Sequence, residues 1–143
     1  MNLVVDASVA VKWFVPESHS TVARELLSPD NKLHVPELFQ AEVGAVLCKK
    51  IQRKELQAAE GREAWESFLR IRFDVYSMSR LLTPAFELAL VSGQYVYDCI
   101  YLILAAQLKI GMATADRRFY NAIRGTYFKN DVLWIDDCVR SEG

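Results

Sequence analysis

The sequence has few of the residues that mark several common protein classes. Its three cysteines, Cys48, Cys99 and Cys138, form no C-x-x-C pair, and neither His19 nor His34 stands at zinc-ligand spacing or beside an acidic partner. The odd number and wide spacing of the cysteines argue against a disulfide framework and predict reduced thiols in or near a core. No apolar run approaches the ~20 residues of a membrane-spanning helix.

No repeat, linker or low-complexity segment divides the 143 residues, so we expect one domain over residues 1–143. The net charge of −1 argues against a surface coated in positive charge, and any contact with nucleic acid must therefore be local. The apolar N-terminal segment lacks a basic leader and is interrupted by Asp6 and Lys12, which favours a strand and a helix over a signal peptide. These features predict a cytoplasmic protein without a membrane segment.

Short β-branched runs alternate with helical periodicities along the chain. Strands are predicted over residues 3–5, 33–35, 73–76, 112–114 and 132–135, and helices over residues 7–14, 20–27, 37–52, 56–69, 83–92, 98–108 and 116–123. Pro36 suits the first turn of its helix, Gly93 ends another, and the tail after Asp136 is expected to fray. The alternation predicts a mainly parallel sheet between two helical layers, a three-layer α/β/α fold.

Three aspartates stand where predicted strands and helices meet. Asp6 ends the first strand, Asp98 opens the buried helix that leads into the fourth strand, and Asp116 follows that strand by one residue. An aspartate at such a junction is a favoured N-cap, which accepts hydrogen bonds from the first helical amides. If the sheet is parallel, Asp6 and Asp116 lie at the same edge, where ligands of such folds bind.

Glu42 is harder to explain as a cap, because the pattern places it inside an apolar helical stripe. Leu38, Ala41, Ala45 and Cys48 define that stripe. A charged side chain there requires a partner, a metal or a proton, and a salt bridge to lysine or arginine is the alternative. Clustered carboxylates repel one another, and a bound Mg²⁺ or Mn²⁺ would relieve the repulsion.

An oxygen-only set of ligands favours these hard cations over zinc. The four candidate ligands are Asp6, Glu42, Asp98 and Asp116. Ser8 and Thr114 are candidates for supporting hydroxyls beside them. Core packing is the preferred interpretation of the aromatic residues Trp13, Trp65, Phe68, Phe119 and Trp134.

The segments VVDASVAVKWF, PELFQAEVGAVLCKK and YDCIYLILAAQLKIGMATADRRF, in that order, resemble the PIN domain family, specifically the VapC-type toxin ribonucleases. The resemblance covers nearly the whole chain. It implies that Asp6, Glu42, Asp98 and Asp116 hold one or two Mg²⁺ or Mn²⁺ ions and hydrolyse RNA phosphodiester bonds by direct attack of water. The resemblance also implies a homodimer, in which the acidic grooves of the two subunits lie side by side. It further implies a small VapB-like antitoxin that lies in the acidic groove and blocks it.

RNA that approaches an acidic pocket needs basic side chains around it. The candidates are Arg117 and Arg118 beside Asp116, and Lys49, Lys50, Arg53 and Lys54 farther along the helix of Glu42. For each of them a solvated helix face is the more common role.

Three other functions remain open at this point. A PIN-type nuclease that processes RNA without an antitoxin has the same sequence features. A phosphoacceptor signalling domain usually needs paired acids ending strand one, an acceptor aspartate ending strand three and a lysine ending strand five. Here strand one ends in the single Asp6, strand three offers only Asp74 inside an apolar run, and strand five is followed by Asp136. An interaction module would use the acids only as helix caps.

Overall fold

The structure is a computed structural model that describes residues 1–139. Its strands are β1 (Asn2–Val5), β2 (Lys32–Pro36), β3 (Asp74–Tyr76), β4 (Gly111–Thr114) and β5 (Val132–Trp134). They form one sheet in the order β3-β2-β1-β4-β5, and every neighbouring pair is parallel. The strand that begins the chain therefore occupies the centre of the sheet.

Helices connect these strands. They are α1 (Ala7–Ala10), α2 (Ser20–Glu25), α3 (Phe39–Gln52), α4 (Ala58–Leu69), α5 (Leu82–Ser92), α6 (Val96–Leu108) and α7 (Arg117–Arg124), with 3-10 helices at Val11–Trp13 and Ile135–Val139. α6 packs against α5 and against β1, β2 and β4. Leu3, Val4 and Val5 point alternately to opposite faces, yet each exposes at most 1% of its surface. Both faces of the sheet are therefore covered, which confirms the three-layer α/β/α prediction.

Most predicted elements agree with the structure to within two residues. The helix predicted over residues 7–14 is the exception, because it is α-helical only to Ala10 and continues as a 3-10 turn to Trp13. Gly93 ends α5 as predicted, with a φ of 72° that a residue without a Cβ adopts freely. The prediction that Pro36 lies in the first turn of a helix is wrong. Pro36 is the last residue of β2 and pairs with Tyr76 of the edge strand β3.

The expectation of a fraying tail is wrong for residues 137–139. Ile135 and Cys138 are buried, and the Cys138 thiol donates to the carbonyl of Trp134 over 3.6 Å. This anchoring keeps the segment in a 3-10 helix. The rest of the predicted tail lies outside the described residues.

The apolar stripe predicted for α3 is also wrong. Ala41, Ala45 and Cys48 are exposed, and the side chains that α3 buries are Phe39, Val43 and Leu47. The larger side chains determine the buried face because Phe39 joins an aromatic cluster, with ring centroids 5.5 Å from Phe68 and 5.1 Å from Phe73. Glu42 therefore borders the buried face at half-burial. The thiol prediction holds for Cys99 and Cys138 but not for exposed Cys48.

Across residues 1–139, no individual helix combines the length and apolar character needed to cross a membrane. The pair Leu82–Ser92 and Val96–Leu108, bent by 118°, meets the length and composition criteria when the two helices are taken together.

We expect Leu102→Ala in α6 to lower the free energy of unfolding by ~2–5 kcal/mol, because Leu102 is fully buried and truncation leaves a cavity beside the sheet. The matched control is Leu69→Ala at the end of α4, where the side chain is 51% exposed. We expect that control to change the free energy by less than ~1 kcal/mol. Urea unfolding followed by circular dichroism measures both, and equal losses would contradict this account of the core.

Candidate active site

The four candidate acids lie at the edge of the sheet formed by the carboxyl ends of the strands. Val5 pairs with Ala113, so the residues that follow, Asp6 and Thr114, are neighbours across β1 and β4. Helices that follow parallel strands begin at this edge, which places Glu42 in the first turn of α3 and Asp116 at the start of α7. α6 runs back toward the start of β4, so Asp98 in its first turn also lies there. The prediction that Asp6 and Asp116 lie at the same edge of a parallel sheet is confirmed.

Asp6 is 5% exposed and is held by hydrogen bonds from two parts of the chain. Its Oδ1 accepts from the Ser8 hydroxyl at 2.6 Å and from the Val9 amide at 3.1 Å, and its Oδ2 accepts from the Thr114 hydroxyl at 3.1 Å. Burial raises the pKa of Asp6 to about 6, although these bonds lower it, and the charge of Asp116 adds to the rise. Asp6 thus caps α1 and also ties it to β4.

Asp116 caps α7, since its Oδ1 accepts a hydrogen bond from the amide of Phe119 at 3.1 Å. Its own backbone amide donates to the Thr114 hydroxyl at 3.1 Å, and Thr114 is fully buried. The Ser8 hydroxyl accepts from the Ala115 amide at 3.3 Å. The hydroxyls of Ser8 and Thr114 therefore join the Asp6 carboxylate to the segment that carries Asp116.

Glu42 is half-buried, and its Oε1 accepts a hydrogen bond from the Tyr101 hydroxyl at 2.5 Å. Burial raises the pKa of Glu42 while this bond lowers it. Within residues 1–139, no lysine or arginine nitrogen lies within salt-bridge distance of Glu42, so the ion-pair alternative is not supported. Sequence reasoning missed Tyr101, although its position three residues after Asp98 places both on one side of α6.

Asp98 is the acid whose pKa is affected by the charges of all three other candidate acids. Its pKa is raised to about 7, first by burial and then by the negative charges of Asp6, Glu42 and Asp116. Such repulsion requires that the carboxylates lie near one another. Helix capping does not bring these acids together, because Asp98 stands inside the first turn of α6 and not at its N-cap.

The acids do not form a closed set of ligands. In the described part of the chain, no group of three or more histidine, cysteine, aspartate and glutamate side chains has the spacing to hold a metal ion. The donor chemistry nevertheless fits Mg²⁺ or Mn²⁺, because all candidate donors are oxygens. Mg²⁺ keeps several waters and binds through one or two carboxylates, so it does not require a complete protein cage.

The basic residues divide into two sets. Arg117 and Arg118 are exposed beside Asp116, and the Arg117 guanidinium lies 3.6 Å from the centroid of the Trp134 ring. The other set, Lys49, Lys50, Arg53 and Lys54, lies at or just beyond the last turn of α3. At 1.5 Å of rise per residue, these four are ~10–18 Å along the axis from Glu42. Lys50 also pairs with Glu17 at 3.3 Å, so the second set fits the solvated-face interpretation better.

The predicted lack of acidic partners for the histidines is wrong. His19 lies 3.0 Å from Asp136, which is 117 residues later, and His34 lies 3.7 Å from Asp74. Asp74 itself opens β3, at the opposite edge of the sheet from the acids, and pairs with Lys32 at 3.6 Å. This position does not suit the acceptor of a phosphoacceptor domain.

We expect Asp98 and Asp6 together to make the metal-free protein less stable as the pH rises from about 4 to about 7. Asp98 and Asp6 have folded-state pKa values near 7 and 6, against an ordinary value of 3.8. The folded state therefore holds more protons in this window, and its advantage disappears as the pH rises through the folded pKa values. Thermal unfolding in EDTA across this range measures the effect.

In the same series, Asp98→Asn is expected to show a smaller fall in melting temperature, because asparagine does not ionise. The control Asp30→Asn, in an exposed turn, keeps the wild-type slope. Parallel curves for the wild type and Asp98→Asn would contradict the raised pKa of Asp98.

Comparison with known proteins agrees with this geometry. A family model described as "PIN domain" matches residues 3–124. The chain is 37% identical over 122 residues to "Ribonuclease VapC3" of Pyrobaculum aerophilum, covering 82% of this chain and 92% of that protein. The crystal structure of PAE2754 from Pyrobaculum aerophilum has a TM-score of 0.72 at 19% identity, covering 96% of this chain and 86% of that one.

A chain of a toxin–antitoxin complex from Klebsiella pneumoniae has a TM-score of 0.59 at 17% identity, covering 92% of this chain and 95% of that one. At these identities the two solved structures show the fold. The family model and the VapC3 relative show the family, and they confirm the resemblance in the sequence. The chain belongs to the PIN domain family and, within it, to the relatives of the VapC ribonucleases.

Proposed function

We propose that this protein is a divalent-metal-dependent endoribonuclease and the toxin of a type II toxin–antitoxin pair, with residues 1–143 acting as one nuclease domain. The observation that carries the proposal is the placement of four carboxylates at one edge of the sheet. They lie near enough together that the charges of Asp6, Glu42 and Asp116 add to the effect of burial in raising the pKa of Asp98. The VapC3 relative, which is named as a ribonuclease, matches 82% of the chain and supports the same activity.

In this proposal Asp6, Glu42, Asp98 and Asp116 are the catalytic acids and hold Mg²⁺ or Mn²⁺. A cation bound there supplies positive charge that offsets the carboxylates and stabilises the developing charge on the scissile phosphate. Ser8 and Thr114 fix both oxygens of the Asp6 carboxylate, and the cap on α7 fixes one oxygen of Asp116. The acids are thereby held in place before substrate arrives.

Arg117 and Arg118 are the residues we assign to the RNA backbone. Both follow Asp116 directly and are exposed, so their guanidinium groups can meet a phosphate next to the acids. Stacking on Trp134, a residue that is 8% exposed, restricts the Arg117 side chain. An arginine already held in place loses less conformational entropy when phosphate binds.

We expect Asp6→Asn and Asp98→Asn each to reduce RNA cleavage about 100-fold or more. Removal of a ligand should exceed the 10- to 100-fold effect typical of an outer-shell residue, since asparagine lacks the charge that holds the cation. Asp30→Asn is the control for a general loss of acidic charge. A labelled RNA assay with Mg²⁺ or Mn²⁺, and with EDTA, provides the measurement, and full activity in both variants would reject the nuclease assignment.

If the protein is the toxin of such a pair, its protein partner is a VapB-like antitoxin. The structural neighbour from Klebsiella pneumoniae comes from a toxin–antitoxin complex, and the chain covers 95% of it. A small upstream gene that overlaps this one would support the pair. An isolated gene would instead favour a PIN-type nuclease that processes RNA without an antitoxin.

We propose that the outer face of α5 is where two copies of the chain meet. Three apolar side chains lie four residues apart along α5 and so share one side of the helix. They are Leu82, Phe86 and Leu90, which are 48%, 54% and 65% exposed. Val91 and Tyr95 extend the same region at 80% exposure each. A contiguous apolar patch of this kind marks an interaction surface, and a helical stripe can pair with its own copy about a two-fold axis.

The double variant Phe86→Asp, Leu90→Asp is expected to convert the dimer to a monomer, because it places four charges in a self-paired apolar contact. Leu69→Asp is the control, since Leu69 is similarly exposed at 51% but lies at the end of α4. Size-exclusion chromatography with light scattering measures the mass. A wild type that is monomeric, or a double variant that remains dimeric, would contradict this assignment.

A further inference from the structure

Tyr101 is a nearly completely buried tyrosine whose hydroxyl lies among the candidate acids. It is 1% exposed and sits in α6, three residues after Asp98. Its hydroxyl donates to Glu42 Oε1 at 2.5 Å. Its ring meets Phe39 of α3 edge-on, with centroids 6.3 Å apart. One side chain thus links the helix that carries Asp98 to the helix that carries Glu42, both through its ring and through its hydroxyl.

Packing accounts for the ring of Tyr101 but not for its hydroxyl. A phenylalanine would fill the same space beside Phe39 without burying a polar atom, which must find a partner when it leaves water. The partner here is a carboxylate, and a hydrogen bond from a hydroxyl to an ionised oxygen is short and strong at 2.5–2.7 Å. The contact thus holds the Glu42 carboxylate in one fixed orientation.

The bond occupies one oxygen of Glu42 and leaves the other available. Within residues 1–139, no donor bonds to Oε2 of Glu42. A carboxylate with one oxygen fixed by an outer hydrogen bond and the other free has the arrangement in which second-shell groups orient metal ligands. The same bond limits the separation of α3 and α6, and with it the distance between Glu42 and Asp98.

We infer that Tyr101 is a positioning residue that holds Glu42 with one oxygen free for the cation. This inference rests on the proposed metal-dependent function. It assigns to Tyr101 no contact with RNA or with the reacting atoms. A purely structural Tyr101 would stabilise the fold without affecting how tightly the cation binds.

The test compares Tyr101→Phe with Tyr76→Phe, which also removes a tyrosine hydroxyl bonded to a side chain, here His34 at 2.8 Å in the sheet. Calorimetric titration of each purified protein with Mn²⁺ gives the dissociation constant. We expect Tyr101→Phe to weaken Mn²⁺ binding about tenfold or more, and Tyr76→Phe to leave it unchanged. RNA cleavage by Tyr101→Phe should recover toward the wild-type rate as Mn²⁺ is raised.

Glu42→Gln provides the coupling control. If Tyr101 acts through Glu42, adding Tyr101→Phe to Glu42→Gln should weaken Mn²⁺ binding no further. Wild-type affinity in Tyr101→Phe, or additive losses in the double variant, would overturn the inference while leaving the nuclease assignment intact. A wild type that neither binds Mn²⁺ nor cleaves RNA would overturn both.

A second measurement uses the wild-type protein and so does not depend on how well Tyr101→Phe folds. The protein is labelled with ¹³C at the hydroxyl-bearing ring carbon of all six tyrosines and studied by NMR. Addition of Mg²⁺ should shift the resonance of Tyr101. In Glu42→Gln the shift should be lost. A Tyr101 resonance that does not respond to Mg²⁺ in the wild type would overturn the inference.

Discussion

Because β1 pairs with β2 on one side and with β4 on the other, the strand order reverses at the centre of the sheet. Chains that leave the carboxyl ends of two such strands turn to opposite faces, and a crevice opens between them. The register of β1 with β4 then brings Asp6 to Thr114 across this crevice. The position of every other acid follows from the helices that begin at the same edge.

The folded chain concentrates negative charge at this edge at some cost to its stability. Burial and mutual repulsion raise the pKa values of Asp6 and Asp98, which means that the fold opposes their ionisation. Hydrogen bonds from Ser8, Thr114 and Tyr101 partly offset the effect by stabilising the charged carboxylates of Asp6 and Glu42. Ionisable groups whose pKa values are shifted by burial and by one another are more typical of a functional site than of a structural core.

The hydrophobic core explains how such an edge is tolerated. α6 is buried along Cys99–Ala105 and packs on three strands, so its first turn is held against the carboxyl edge of the sheet. The aromatic cluster around Phe39 holds α3 in the same way. Apolar contacts on both sides of the sheet thus determine where Glu42 and Asp98 lie, and the polar groups adjust their orientation.

Local sequence patterns were sufficient for much of this protein. β-branched runs, helical periodicity and Gly93 gave nearly all elements to within two residues, and the alternation of strands and helices gave the parallel sheet. Errors arose where distant contacts override local preference. The packing of Phe39 sets the buried face of α3, and Ala45 therefore faces solvent. Pro36 ends the inner strand β2, where it is paired with Tyr76 of β3.

The linear sequence was sufficient to single out Asp6, Glu42, Asp98 and Asp116 as candidate site residues, because three of them stand at strand and helix junctions that can be recognised without a structure. Which atoms meet depends on the folded chain: the Thr114 hydroxyl bonds to Asp6, 108 residues away, and the Tyr101 hydroxyl bonds to Glu42, 59 residues away. Such contacts depend on strand register and helix packing, which arise from the burial of many apolar side chains at once. No local pattern contains that information.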